Sequence, residues 1–241
     1  PTEPGFESLL ITPQAAEDFV TDTTLVFVVD VHRPDMVAAP KALQKSKRRV
    51  VIDHHRRASD FIEKPLLTYL EPASSSTSEL VTELIQYFVD PISLNVVEAS
   101  ALYAGIVVDT KNFVVQTGSR TFDAASFLRR SGADLSIVRH LFMESFDSIQ
   151  LRAKMLADAE RFDGMAITTC PAGIQNASIL SAQTADKLIT IERYRSQLCA
   201  LYFVGWRYRR KCPFARGYEY SACYGSLGRW RSSYRSRRPA I

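Results

Sequence analysis

Two short apolar segments, each followed by an aspartate, constrain the fold more than any other feature of this sequence. LVFVV at 25–29 precedes Asp30, and VVI at 50–52 precedes Asp53, with a helical pattern at 37–44 between them. Short apolar runs that alternate with helical patterns are typical of buried parallel strands. Because parallel sheets bind ligands at the carboxyl ends of their strands, we expect both aspartates to lie at a binding site.

The rest of the sequence predicts further helices and then a second, smaller α/β region. Ser76 and Glu79 have the spacing of a capping box at the start of an amphipathic helix. Strands are predicted at 66–70 and 166–169, and helices at 76–88, 96–108, 121–130, 135–145, 148–161 and 183–189. The fold class is therefore α/β, with a parallel-sheet domain at 1–146, a helical connector at 147–163 and the start of a smaller, incomplete α/β domain at 164–192.

Composition excludes a membrane-spanning chain and a small disulfide-rich secreted one. The 241 residues are 46% apolar, which is enough for a sizeable core, and no apolar run approaches the ~18 residues of a membrane span. The four cysteines form no CxxC pair, so we expect a reducing compartment, the cytoplasm. No signal peptide opens the chain. Because it begins with Pro1 rather than Met, we expect a fragment of a longer protein.

The segment VVIDHH contains the most specific local signal for chemistry. Of the two imidazoles of His54 and His55, one can bind a metal ion while the other reaches a phosphate. Asp53 can hold one of these rings in place without itself binding the metal. Asp30, on the neighbouring strand, can bridge two ions, and carboxylate and imidazole ligands suit Mn²⁺. The alternative is that both aspartates cap their strands and both histidines form hydrogen bonds in a turn.

Other candidates carry weaker signals. His32 follows Asp30 by two residues and either lines the cleft or occupies an ordinary turn. Ser76 caps a helix and can also bind phosphate there, and Arg120 either meets a phosphate or is a solvated residue at a helix start. We interpret His140 and Cys170 as structural residues.

Four segments together resemble a known family. VVDVHRPDMV, VVIDHHRR, TYLEPASSSTSELVTELIQY and ALYAGIVVDTKNF resemble successive motifs of the DHH/DHHA1 phosphoesterases, in that family's order and spacing, over about residues 8–192. Within the family, the long stretches are similar to the membrane-anchored cyclic di-AMP phosphodiesterases of the GdpP type. The resemblance implies a DHH domain followed by a DHHA1 domain.

The resemblance also implies a role for each candidate residue. Asp30 is expected to bridge two Mn²⁺ ions, and His54 and Asp109 to bind the second ion. His55 is expected to contact the scissile phosphate, and Asp53 to orient the histidines. The implied reaction is two-metal hydrolysis of cyclic di-AMP to pApA, and the alternative within the family is a nuclease of short oligonucleotides.

Further expectations concern the parent protein and the first motif. The resemblance implies a possible homodimer, a cytoplasmic catalytic region, and a membrane anchor only through segments absent from this chain. The family's HxxxDxD motif, which supplies further metal ligands, has no counterpart before Asp30. We therefore expect little or no activity from the chain as written.

The segment 193–241 has a composition unlike the rest. It holds 12 of the 30 lysines and arginines, one of the 26 acidic residues, both tryptophans and seven of the ten tyrosines. Arginine interleaved with aromatic rings would suit single-stranded nucleic acid, which gives a third reading, a nucleic-acid-binding protein. A charged tail without a fold is the simpler explanation, and nucleic acid is not the partner we expect.

A shifted reading frame accounts for this composition better. Read one nucleotide later, back-translated codons of 193–200 can spell GIEASFVL, those of 211–214 SARS, and those of 217–227 GMNIQRVMEAL, all blocks that the DHHA1 resemblance leads us to expect. GRWRSS at 228–233 can become GGGGH. We therefore interpret 193–241 as an out-of-frame tail that begins after Glu192.

Overall fold

The computed structural model describes residues 10–88, 93–162, 165–171, 173–174, 176–189, 199–204 and 207–211. The chain divides into two compact units, Pro1–Met143 and Glu144–Ile241. Within the described ranges, no helix is both long and apolar enough to cross a membrane.

The first unit contains a three-stranded parallel sheet in the order β1-β2-β3. Its strands are β1 (Leu25–Val29), β2 (Arg48–Asp53) and β3 (Leu67–Leu70). Helix α1 (Pro13–Phe19) precedes the sheet, and a 3₁₀ turn (Pro34–Met36) and α2 (Pro40–Lys45) connect β1 to β2. The predicted α/β class with a parallel sheet is confirmed, and all three predicted strands are present.

Strand β2 pairs with both other strands and is therefore the central strand. Its side chains are buried on both faces of the sheet. Val51 packs in one cluster with Val28, and Val50 and Ile52 pack in another with Leu80 of helix α3. A one-residue shift in register would exchange the two faces, so this packing fixes the alignment of the strands. In that alignment Val29 pairs with Ile52, which brings Asp30 and Asp53, the next residues, to the same edge.

Four helices complete the first unit: α3 (Thr77–Ile85), α4 (Val96–Asp109), α5 (Ser119–Arg130) and α6 (Leu135–Leu141). Asn95 and Glu98 form a full capping box at the start of α4. Small and branched side chains fill the core between α4 and α5, among them Ala99, Ile106 and Leu128. Helices α3 and α6 end earlier than predicted, at Ile85 and Leu141.

The start of α3 differs from the predicted capping box. Ser76 Oγ accepts a hydrogen bond from the backbone N–H of Glu79 at 3.0 Å, as predicted. A capping box would also require the Glu79 carboxylate to accept the backbone N–H of Ser76. This carboxylate instead accepts hydrogen bonds from the hydroxyls of Ser74 and Ser75, at 2.8 and 2.5 Å. Glu79 is 2% exposed, so its buried carboxylate requires these donors.

The second unit pairs two helices with a four-stranded sheet in the order β4-β5-β6-β7. Strands β5 and β6 are parallel, and the other two pairs are antiparallel. The elements in chain order are α7 (Phe146–Ala157), β4 (Glu160–Phe162), β5 (Met165–Cys170), α8 (Ala177–Ile189), β6 (Cys199–Val204) and β7 (Arg207–Lys211).

The helix predicted as part of a connector at 147–163 packs inside the second unit. Met155 of α7 shares a buried cluster with Cys170, Ala177 and Leu180. The helix ends at Ala157, and the chain then forms β4 instead of continuing as a helix to residue 161. The predicted limits at 146 and 163 therefore stay a proposal about domain organisation.

Strands β6 and β7 lie within 193–241, the segment interpreted above as an out-of-frame tail. The sequence CALYFV of β6 consists of apolar residues, several of which favour strands in any chain that contains them. Residues 193–198, 205–206 and 212–241, including the segment GRWRSS, lie outside the described residues. The shifted frame concerns codons and stays a prediction.

Candidate active site

The candidate site lies at the carboxyl edge of the parallel sheet, where Asp30 follows β1 and Asp53 ends β2. The backbone N–H of Asp30 donates to the carbonyl of Ile52 at 3.0 Å, so Asp30 is tied directly to the neighbouring strand. Asp30 has a φ of 64°, a left-handed conformation that few residues other than glycine adopt. The chain therefore turns sharply at Asp30. The side chain of Asp30 is 56% exposed.

Asp53 is fully buried and connects two histidines. Its Oδ2 lies 2.5 Å from Nδ1 of His32, and its Oδ1 lies 2.7 Å from Nδ1 of His55. Oδ1 also accepts the backbone N–H of His55 at 3.1 Å. Burial alone raises the pKa of Asp53, but the hydrogen bonds from His32 and His55 outweigh it and leave the pKa below its usual value.

His54 lies between two carboxylates without forming a hydrogen bond to either. Its Nε2 is 3.6 Å from Oδ1 of Asp30 and 3.8 Å from Oδ2 of Asp109. Such separations are too long for hydrogen bonds. They suit ligands of one metal ion, because two donors at about 2.1 Å from an ion lie about 3–4 Å apart.

Asp30, His54 and His55 together form a possible metal cluster. Each offers one ligand atom, and these atoms lie within 4.8 Å of one another. The cluster combines a carboxylate with imidazoles and contains no thiolate, so its chemistry suits Mn²⁺ or a similar divalent ion. The predicted metal ligands Asp30 and His54 thus come together, and Asp109 approaches them from α4.

A tight turn holds Asp109 at the end of α4. Lys111, Asn112 and Phe113 all have a left-handed backbone, and Thr110 Oγ1 accepts the N–H of Phe113 at 2.9 Å. Burial raises the pKa of Asp109, the nearby His54 opposes this effect, and the negative charge of Asp30 adds to it. A bound cation would relieve the repulsion between these two carboxylates.

The two weaker substrate-binding candidates have other partners. Arg120 donates to Glu71 at 2.6 Å and to Glu83 at 2.7 and 2.5 Å, contacts that raise its pKa. Ser76 is fully buried and caps α3. Contacts of Arg120 and Ser76 with a substrate therefore stay predictions, and the structure supports a structural use of both side chains.

The sequence leaves the role of His32 open, and the structure gives this residue a specific place. Its ring is 4% exposed and stacks on Phe61, with 5.3 Å between ring centroids. It contacts Asp53, 21 residues away in the chain. The position of His32 two residues after Asp30 was the available signal, but the contact depends on the pairing of β1 with β2.

Several known proteins are similar to this chain in sequence. Residues 5–106 match the DHH family, N-terminal domain. The chain is 49% identical over 182 residues to the cyclic-di-AMP phosphodiesterase GdpP of Geobacillus thermodenitrificans. It is 44% identical over 184 residues to the cyclic-di-AMP phosphodiesterase PdeA of Listeria monocytogenes. These alignments include 75% and 76% of this chain but only 28% of each relative, so the chain spans less than a third of their length.

A solved structure shares the fold at lower sequence identity. An exopolyphosphatase-related protein from Bacteroides fragilis superposes with a TM-score of 0.70 and 18% identity, covering 95% of this chain and 79% of that chain. The likeness at this identity shows the fold alone. The family match and the sequence identity of the relatives lead to one conclusion: residues 5–106 of this chain belong to the DHH family, as its N-terminal domain.

Proposed function

We propose that this chain is part of the catalytic region of a metal-dependent phosphodiesterase that hydrolyses cyclic di-AMP to linear pApA. Both relatives are named cyclic-di-AMP phosphodiesterases, which suggests the substrate. The alignment with each relative includes about three quarters of the present chain. A cytoplasmic location, a homodimeric parent and a membrane anchor outside this chain belong to the same proposal.

The observation that carries the proposal is the position of His54 Nε2 between two carboxylates. It lies 3.6 Å from Asp30 and 3.8 Å from Asp109, at separations that suit shared ligation and exclude hydrogen bonds. The three residues lie directly after β1, directly after β2 and at the end of α4. An accidental turn of adjacent residues would not bring them together.

Each residue has a distinct task in the proposed reaction. Asp30, His54 and Asp109 would hold Mn²⁺, and Asp30 would serve both ions of a two-metal site. When bound, such ions activate water and stabilise negative charge on the phosphate. His55 contacts the scissile phosphate through the ring edge away from Asp53, and Asp53 holds the His55 ring by its Nδ1.

We expect little or no turnover by the 241-residue chain. Within the described residues, the cluster contains Asp30, His54 and His55, with Asp109 beside it. Two metal ions need more protein ligands than these four side chains provide, because each ion binds several donor atoms. The first ion should therefore bind more tightly than the second.

Binding of Mn²⁺ tests the metal site directly. Electron paramagnetic resonance of free Mn²⁺ measures how many ions the protein removes from solution. We expect about one tightly bound ion per chain, and Asp30→Asn should weaken its binding at least tenfold, about 1.4 kcal/mol. Asp123→Asn is the matched control, because Asp123 is an exposed aspartate of α5. Equal affinities of both variants and the unaltered chain would contradict the proposed site.

A substrate panel distinguishes the proposed reaction from its alternatives. The Mn²⁺-loaded chain, and a longer version with an HxxxDxD motif and the shifted frame, are incubated with cyclic di-AMP or short oligonucleotides. We expect the longer version to convert cyclic di-AMP to pApA, and the 241-residue chain to do so little or not at all. Mononucleotides released from oligonucleotides alone would indicate the nuclease. Salt-dependent oligonucleotide binding without cleavage, lost on deletion of 193–241, would favour the nucleic-acid-binding protein.

A further inference from the structure

His32 is buried at the inner end of a chain of hydrogen bonds that leads to His55. Its Nε2 lies 3.0 Å from the backbone N–H of Ala58, and its Nδ1 lies 2.5 Å from Oδ2 of Asp53. The carbonyl of His32 also accepts the N–H of Ile62 at 2.9 Å. The loop that follows His55 is therefore attached to His32 through both its ring and its backbone.

The partners of His32 determine which ring nitrogen carries the proton. Ala58 offers an N–H, so Nε2 must accept and cannot itself be protonated. The proton of the neutral ring is then on Nδ1, which donates to Asp53. One oxygen of the Asp53 carboxylate is thereby occupied, and its plane is fixed.

The second oxygen of Asp53 acts on His55 in the same way. An ionised carboxylate only accepts hydrogen bonds, so the contact of 2.7 Å requires a proton on Nδ1 of His55. The backbone N–H of His55 donates to the same oxygen at 3.1 Å. In the neutral ring, Nε2 is therefore left unprotonated, with its lone pair available.

We propose that His32 is a positioning residue: by binding Asp53 it holds the carboxylate in the orientation that keeps the proton of His55 on Nδ1. Both ring nitrogens of His32 are used, by Asp53 and by the N–H of Ala58, so neither is left for a metal ion or a substrate. Without its donated hydrogen bond, the Asp53 carboxylate could turn, and His55, whose side chain is 56% exposed, would be free to carry its proton on either nitrogen. The proposal relies on the proposed function only for what His55 then does at the phosphate.

Two substitutions separate positioning from mere packing. The amide of asparagine lies where Nδ1 of histidine lies, so His32→Asn can still donate to Asp53 but loses the contact with Ala58. The amide of glutamine reaches the place of Nε2, so His32→Gln can still accept from Ala58 but loses the donor to Asp53. Each variant gives up one buried hydrogen bond, so both should lose similar thermal stability.

The measurement is the protonation of each histidine ring, read from long-range ¹H–¹⁵N correlation spectra of the metal-free chain. The four histidines are assigned by single substitutions, and spectra are recorded at about pH 8.5, where histidine rings are ordinarily neutral. We expect an unprotonated Nε2 on His55 in the unaltered chain and in His32→Asn. In His32→Gln, the Nε2 resonance should move towards the protonated position.

Several outcomes would overturn the proposal. A protonated Nε2 on His55 in the unaltered chain would do so even if neither variant folds. Equal shifts of the His55 resonances in both variants, or no shift in either, would reduce His32 to a packing role. Because no metal or substrate is present, the result is independent of the proposed phosphodiesterase activity, and either idea can fail alone.

Discussion

Replacing Arg120 by methionine would test whether this arginine is a structural link or a substrate-binding residue. Its guanidinium donates to Glu71 after β3 and to Glu83 of α3, and so ties both to α5. Methionine retains an unbranched side chain but no charge. The side chains of Arg120, Glu71 and Glu83 are 45%, 31% and 21% exposed, so water screens these ion pairs. At about 0.5–1 kcal/mol for each pair, the expected loss is about 1–2 kcal/mol.

The loss should depend on pH. The hydrogen bond from Arg120 lowers the pKa of Glu71 below its ordinary value of 4.5, and burial opposes it only in part. A carboxyl group whose pKa is lower in the folded than in the unfolded chain stabilises the fold fully above its unfolded pKa. This stabilisation is lost as the pH falls through the folded pKa. The difference between the unaltered chain and Arg120→Met should therefore be largest near neutral pH and shrink below about pH 4.5.

Urea unfolding followed by circular dichroism, at pH 7 and at about pH 3.5, measures both effects. Arg130→Met is the control on the same helix: Arg130 is exposed and, within the part of the chain that the structure describes, donates to Ser126 in its own turn, so we expect a loss below about 0.5 kcal/mol. A loss below ~0.3 kcal/mol for Arg120→Met, or one that is equal at both pH values, would refute the structural reasoning. Unchanged stability with weakened substrate binding would favour the phosphate-binding role.

Three further substitutions test packing and buried polar groups in the first unit. A Cβ on Gly105 would lie 2.0 Å from Oγ and 3.0 Å from Cβ of Ser78. Gly105→Ala should therefore lower the free energy of unfolding in urea by about 1–2 kcal/mol, although alanine has the better helix propensity. Adding Ser78→Gly should recover most of this loss. Thr77 Oγ1 is buried without a partner within the described structure, so Thr77→Val should raise stability by about 1 kcal/mol, and a lower unfolding midpoint would indicate an overlooked partner. Ser46 Oγ donates to the carbonyl of Thr24 at 2.7 Å in a fully buried position, so Ser46→Ala should lower the free energy of unfolding by about 1–3 kcal/mol, and an unchanged free energy would contradict this.

The strands of the first unit could be predicted from the sequence because their signal is local. The apolar run predicted at 25–29 is β1 (Leu25–Val29), and the run at 50–52 lies inside β2 (Arg48–Asp53). Helix ends were less predictable. The helix predicted at 76–88 ends at Ile85, because where a helix stops depends on backbone partners as well as on periodicity.

Most residues of the candidate site could be predicted from the sequence, but the contacts between them could not. Asp30, Asp53 and the two histidines follow strands, so their placement at one edge follows from a parallel sheet. Asp109 was expected only through the resemblance to the DHH/DHHA1 family, because it ends a helix and no strand leads to it. Its approach to His54 depends on how α4 packs in the folded unit.

The sequence by itself determined the local structure and the family, because hydrophobic periodicity and short motifs are properties of neighbouring residues. Only the tertiary structure decided which polar side chains meet. His32 reaches Asp53 across 21 positions, and Arg120 reaches Glu71 across 49. Such contacts depend on strand register and helix packing, which bring distant residues within hydrogen-bond distance and which no local pattern specifies.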